Sequence, residues 1–130
     1  MPGSDLLHPN ESYTLMGAAF EVYKELGPGF LEAVYEEALC RELASRQVPF
    51  RRQVPLEIQY KGATLNKRYV CDLLAYGGII LELKAVQRIT DIDVAQALNY
   101  LKATRYDLAL ILNFSAPDQL EWKRIVRTHA

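Results

Sequence analysis

Residues 69–84 read Tyr69-Val70-Cys71-Asp72-Leu73-Leu74-Ala75-Tyr76-Gly77-Gly78-Ile79-Ile80-Leu81-Glu82-Leu83-Lys84. Two apolar runs flank a Gly-Gly pair, the pattern of a β-hairpin whose strands are covered on both faces. Three charges interrupt the runs, Asp72 in the first and Glu82 and Lys84 in the second. Leaving one of them unpaired inside a sheet costs on the order of several kcal/mol, so their presence asks for a purpose. Side chains alternate along a strand, which puts Glu82 and Lys84 on one face. Asp72 joins them in only one register. A two-residue Gly77-Gly78 loop pairs Tyr76 with Ile79 and sets Asp72 across from Leu83. A three-residue loop, Tyr76-Gly77-Gly78, pairs Ala75 with Ile79 and sets Asp72 across from Glu82. A site built on all three residues requires the second arrangement.

Outward from the hairpin, Val54, Leu56, Ile58 and Tyr60 alternate with polar residues, predicting a strand over 53–60. Pro55 lacks a donor and places that strand near a sheet edge. A turn at Lys61-Gly62 leads to the strand carrying Asp72, expected over 67–75, and the Glu82 strand is expected over 79–86. Farther upstream, Leu15, Ala18, Ala19, Val22 and Leu26 recur at helical spacing over 11–26, with Asn10 as the expected N-cap and Gly27-Pro28-Gly29 as the stop. A second helix is expected over 30–46. Downstream, Thr90 caps a third helix over 91–103, whose Asp91 and Asp93 complement the helix dipole. Leu108–Phe114 is apolar throughout, a strand buried on both faces. Residues 120–127 read as strand or helix. The order, α-α-β-β-β-α-β and then one undecided element, predicts an α/β fold with a mixed central sheet. Residues 1–10 are expected to form a flexible tail and 11–130 a single domain.

Half of the 130 residues are hydrophobic and 24% are charged, a globular composition with room for a core. No apolar run is long enough for a membrane helix and the N-terminus lacks a secretory pattern, so a cytoplasmic protein with no membrane partner is expected. Cys40 and Cys71 sit in apolar surroundings and read as reduced core residues. His8 and His129 stand near the two ends, which leaves acid–base chemistry to carboxylates, lysine and metal. Residues 1–45 carry two basic and eight acidic side chains, and residues 46–130 carry thirteen and eight. The basic portion is suited to a phosphate backbone, although an ordinary solvated surface would look the same.

Two carboxylates held together repel unless a cation lies between them. Oxygen ligands without His or Cys favour a hard ion, Mg2+ or Mn2+. The bland alternative is a solvent-facing Glu82–Lys84 pair worth about 0.5 kcal/mol. On the site reading both Asp72 and Lys84 are imperfectly paired buried charges, so removing either is expected to raise stability.

Asp72, nine intervening residues, then Glu82-Leu83-Lys84 resembles the core motif of PD-(D/E)xK nucleases. Gly29-Phe30-Leu31-Glu32-Ala33-Val34-Tyr35 resembles the G-x-x-E-x-x-Y signature of a family of small proteins within that superfamily, and the likeness runs from about Thr14 to Val126. Leu26-Gly27-Pro28-Gly29, Gln53-Val54-Pro55, Glu82-Leu83-Lys84-Ala85-Val86 and Leu112-Asn113-Phe114 take part in it. The resemblance implies a restriction-endonuclease-like α-β-β-β-α-β core with an extra N-terminal helix, and Mg2+ (or Mn2+) chemistry on nucleic acid. It implies Asp72, Glu82, the Leu83 carbonyl and Glu32 as metal ligands, with Lys84 assisting. Gln96 and Tyr100 resemble a Q-x-x-x-Y element and share one helix face. Two departures stand out: Asp93-Val94 occupies the place of a frequent His-Glu pair, and Cys71 replaces the proline of the motif.

The reading is a metal-dependent phosphodiesterase acting on DNA or RNA, with Asp72, Glu82, Lys84, Glu32, Gln96 and Tyr100 catalytic. Arg52, Lys67, Arg68, Arg88 and Lys102 are its candidate phosphate contacts, DNA its expected partner, and a homodimer its expected assembly. The rival is a non-catalytic nucleic-acid-binding or assembly module that keeps the same fold.

Overall fold

In the computed structural model Ala75 pairs with Ile79, Leu74 with Ile80 and Leu73 with Leu81. The hairpin therefore turns through the three-residue loop. Tyr76 and Gly77 take φ of 55° and 71°, and the Gly78 amide closes the turn on the Ala75 carbonyl at 3.0 Å. The structure describes residues 8–127. The expected tail falls mostly on residues 1–7, and these, like His129, lie outside the described residues.

The elements are α1 (Pro9–Leu26), α2 (Glu32–Ser45), β1 (Phe50–Tyr60), β2 (Ala63–Ala75), β3 (Ile79–Lys84), α3 (Asp91–Thr104), β4 (Leu108–Asn113) and β5 (Glu121–Val126). They form one mixed sheet in the order β1-β2-β3-β4-β5, with β3 and β4 parallel across α3 and the other pairs antiparallel. β1 lies at an edge, as Pro55 requires, and the undecided last element is a strand. Leu73, Ala75, Leu81, Leu83 and Leu110 pack with Leu15, Val22, Tyr35 and Leu39 of α1 and α2. Leu74, Ile80, Ala109 and Ile111 pack with Ala97 and Leu101 of α3. Every residue of β4 is buried, as its unbroken apolar run predicts.

Several boundaries differ from expectation. α1 starts at Pro9, whose fixed φ suits a first helical position. Asn10 therefore lies inside the helix and caps nothing; its carbonyl accepts the Thr14 hydroxyl at 3.1 Å. α2 starts at Glu32 rather than Phe30, because Tyr35 holds the preceding loop. The Tyr35 hydroxyl donates to the Gly27 carbonyl at 2.6 Å and accepts from the Phe30 amide at 3.1 Å. Its ring stacks on Phe114 with centroids 4.9 Å apart. β1 and β2 are longer than their apolar alternation, since the ladder runs down to Tyr60 opposite Ala63.

What positions the site is a parting of strands. The β2–β3 ladder ends at Leu73 and Leu81, yet β2 reaches back to Ala63 and β3 runs on to Lys84. Past that point β2 pairs with β1 alone, while β3 stays with β4 to Lys84 opposite Asn113. Asp72, Glu82 and Lys84 stand where the strands separate.

Candidate active site

At the split, the Asp72 carboxylate does what the missing ladder would have done: its Oδ2 accepts the Leu83 amide at 2.8 Å. Burial, foremost, pushes the Asp72 carboxyl above its ordinary range, and Glu36 adds to this. The Leu83 amide, the Gln53 side chain and Lys84 pull it back. Gln53 sits in β1 with a left-handed φ of 48° and also donates to Glu36 Oε1 at 2.9 Å.

Glu82 is the more perturbed group. Its carboxyl is pushed up to about 7, by burial foremost, with Lys84 opposing the shift and Glu32 adding to it. Its Oε2 is buried with no hydrogen-bond partner. Glu32, in the first turn of α2, has its carboxyl raised by partial burial and then by Asp72, while Lys84 and the Ala85 amide lower it. The residue is open to solvent as a whole, yet its charge is felt by Glu82, as that of Asp72 is felt by Glu32. Lys84 favours the charged form of Glu32, Asp72 and Glu82 alike, and its Nζ lies 3.4 Å from Asp93 Oδ1. Asp93 is itself fixed by a capping box with Thr90.

On the α3 side the split opens into a cavity of about 170 Å³ lined by Tyr69, Glu82, Lys84, Asp93, Gln96 and Tyr100. Tyr69 and Tyr100 stack nearly parallel, centroids 3.8 Å apart, and form one wall. Asp72 and Glu32 do not line this cavity; Glu32 and Glu36 of α2 act on Asp72 from the other helix layer. Among the described residues no three His, Cys, Asp or Glu side chains come together as a metal cluster. The loop after β3 is held from below. Buried Asn113 accepts the Val86 amide at 3.0 Å and donates to Glu121 Oε1 at 3.0 Å, and the same oxygen accepts the Ile89 amide at 2.8 Å.

Of the candidate phosphate contacts, Lys67, Arg68, Arg88 and Lys102 are exposed. The Arg52 guanidinium is engaged by Glu36 Oε2, through Nε at 3.1 Å and Nη2 at 2.9 Å, and does not stand free. Sequence reasoning missed Asp93 as the partner of Lys84, Gln53 and Glu36 beside Asp72, and Tyr69 in the wall. Only Glu36 carried a signal, its i+4 spacing from Glu32 on one helix face.

A mixed sheet whose central hairpin parts at an aspartate and a Glu-x-Lys pair, flanked by helices on both faces, defines a restriction-endonuclease-like α/β fold. The family model described as "PD-(D/E)XK nuclease superfamily" matches residues 9–125, and the chain belongs to that superfamily. It is similar in fold to a solved structure described as "Crystal structure of SSO0001", with a TM-score of 0.55 and 15% identity over 75% of this chain and 50% of that one. The chain thus spans about half the length of that structure. No curated protein gives a match. Among the described residues no helix is long and apolar enough to cross a membrane.

Proposed function

We propose that the chain is a divalent-metal-dependent phosphodiesterase of the G-x-x-E-x-x-Y group, acting on nucleic acid in the cytoplasm, with DNA preferred over RNA. One observation carries this reading: Glu82 keeps a buried carboxylate oxygen without any hydrogen-bond partner, in a place where its charge is disfavoured. A native structure rarely leaves such an acceptor unsatisfied without a use for it. Oxygen donors in this setting fit Mg2+ or Mn2+, held by Asp72 and Glu82 with the Leu83 carbonyl and Glu32 completing the donor set. When bound, such an ion supplies an acidified water and offsets charge on a phosphoryl oxygen.

The chain's own groups account for the rest. Lys84, aimed by Asp93, holds a positive charge at the carboxylates where a phosphoryl oxygen and the attacking water can be held. Gln96 and Tyr100 present amide and phenol groups from the facing wall for the sugar-phosphate backbone. The Tyr69–Tyr100 stack excludes water on that side. The two departures from the family pattern leave this arrangement standing: Asp93 supplies an acid from α3, and Cys71 is buried and away from the cavity lining.

The test is calorimetric titration of Mg2+ and Mn2+ into wild type, Asp72→Asn and Glu82→Gln, followed by cleavage assays on single-stranded, duplex and branched DNA and on RNA. Metal binding that depends on both acids, together with cleavage, supports the reading. Nucleic-acid binding with no turnover under any metal would favour the non-catalytic module instead.

A further inference from the structure

From Tyr60 to Arg68 the chain reads Tyr60-Lys61-Gly62-Ala63-Thr64-Leu65-Asn66-Lys67-Arg68, with three basic side chains and no acid. All nine residues are exposed. Over Ala63–Asp72, β2 has only β1 beside it, and β1 is the edge of the sheet. The far end of this hairpin is therefore a two-stranded ribbon that stands out from the sheet with these residues exposed. Tyr60, Leu65 and Val70 stand 58%, 39% and 49% exposed, so core packing does not explain it. Free edges of this kind are usually blunted or covered.

The ribbon grows directly out of the cleft wall. Tyr69, next to Arg68, lines the cavity that holds Glu82 and Lys84. On its other side, Gln59 and Gly62 border the end of α3 at Thr104 and Arg105, where Lys102 and Arg105 are exposed. Glu57, opposite Arg68 in the ladder, is the acid nearest the tip along β1.

We infer that this ribbon is a duplex-reading arm that enters the major groove of B-form DNA while the adjoining backbone lies in the cleft; the cleft half of the statement rests on the phosphodiesterase reading. The charge points to a polyanion, and the shape selects among polyanions. A major groove about 12 Å wide and 8.5 Å deep admits a two-stranded ribbon. The paired ribbon runs from Glu57 and Arg68 to Tyr60 and Ala63, with a register shift between Glu57 and Gln59. Four β1 residues reach about 13 Å, with the strands roughly 4.8 Å apart, enough to enter the groove. A-form RNA has a major groove too deep and narrow for side chains, and a single strand has no groove to enter. Lys67 and Arg68 meet phosphates at the groove edge. Lys61, whose Nζ lies 5.6 Å from the Tyr60 ring centroid, does so at the tip. Thr64 and Asn66 are the polar residues between these contacts that are left for the base edges.

The experiment is fluorescence anisotropy with labelled B-form duplex DNA, double-stranded RNA and single-stranded DNA, in calcium buffer so that binding is read apart from cleavage. The proteins are wild type and the triple variant K61S/K67S/R68S. Because the three positions are exposed, the variant should melt within a few degrees of wild type. Expected are tighter wild-type binding to the DNA duplex than to the other two, and at least a tenfold loss for that duplex in the variant. The salt dependence should also fall by about three phosphate contacts. Equal duplex binding by the two proteins, or a wild type that favours RNA or the single strand, overturns the arm. Cleavage assays on the same pair keep the two ideas apart. Turnover with an unaffected triple variant sinks the arm and leaves the phosphodiesterase; a duplex-specific loss without any turnover does the reverse.

Discussion

The two ends of one hairpin make opposite use of the same strands. Over Leu73–Ala75 and Ile79–Leu81, β2 and β3 are laddered residue by residue and every side chain is at most 1% exposed. One residue further along β2 the ladder is gone, a carboxylate receives the Leu83 amide, and a glutamate oxygen is buried with no partner. The closed end buries apolar surface and satisfies its backbone internally. The open end leaves polar groups imperfectly satisfied, and those groups are the ones available for chemistry. Stability and reactivity are thus separated along the strand rather than between domains, so substitutions a few residues apart should act on different observables.

The largest expected effect lies at the open end. Lys84→Ala should lower cleavage by about a thousandfold, in the range found when one preorganised charge-stabilising group is removed. Metal affinity should hold or improve slightly, because the lysine repels a cation. Asp72→Ala should lose both cleavage and metal binding. It will not simply gain stability as an unpaired buried charge would, because the Leu83 amide then loses its acceptor, which costs about 1–3 kcal/mol. Asp72→Asn keeps an acceptor and should melt higher than Asp72→Ala. Undiminished cleavage in Lys84→Ala would end the mechanism.

At the closed end the effect moves to folding. Leu81 is 1% exposed in the cluster beneath α1 and α2. Leu81→Ala should cost about 2–5 kcal/mol in urea unfolding. The fraction that remains folded should bind metal with wild-type affinity. A large loss of metal affinity in that folded fraction would mean the two ends are not separable.

Between these lies a pH effect. The Glu82 carboxyl is raised from an ordinary 4.5 to about 7, so the folded protein holds this proton more tightly than the unfolded chain does. Its contribution to stability is complete below about pH 4.5 and is lost as pH rises through 7. Asp72 and Glu32 are shifted in the same direction. With metal chelated, melting temperature should fall from pH 5 to pH 8 by the equivalent of about 2–3 kcal/mol. Glu82→Gln should flatten the fall, and saturating Mg2+ should reverse it at pH 8. Parallel curves for wild type and Glu82→Gln would show that burying this carboxylate costs nothing.

How much of this was legible in the sequence depended on whether the cause was local. The periodicities of the helices, the edge position of Pro55 and the buried run of β4 follow from short windows, and the structure agrees with them. The hairpin register was legible only as a condition, since Tyr76-Gly77-Gly78 permits either loop and only the fold selects one. Asn10 failed as a cap because Pro9 suits the first helical turn. Asp93 reads as an ordinary helix-start acid; its hold on Lys84 exists because β3 and α3 meet in space. Glu36 and Gln53 reach Asp72 from a different helix and a different strand, and no window of sequence contains all three.

The smallest effect tests the residue that sharpens the boundary between the two ends. Gln53 holds φ at 48° in the middle of β1, where a side chain other than glycine costs on the order of 1 kcal/mol. In return its amide donates to Glu36 and bonds Asp72. Gln53→Ala keeps the strain and loses the bonds, so it should destabilise by about 1 kcal/mol. Gln53→Gly loses the same bonds but relieves the strain, against a glycine entropy cost of about 0.5–1 kcal/mol. It should therefore match or slightly exceed Gln53→Ala in melting temperature, the reverse of the order expected at an ordinary strand position. Both variants remove a donor that lowers the Asp72 carboxyl, so in both the pH at which metal affinity is half-maximal should move upward. If Gln53→Ala is clearly the more stable of the two, the left-handed turn carries no strain. If the pH midpoint stays fixed in both, Gln53 serves the strand and not the site.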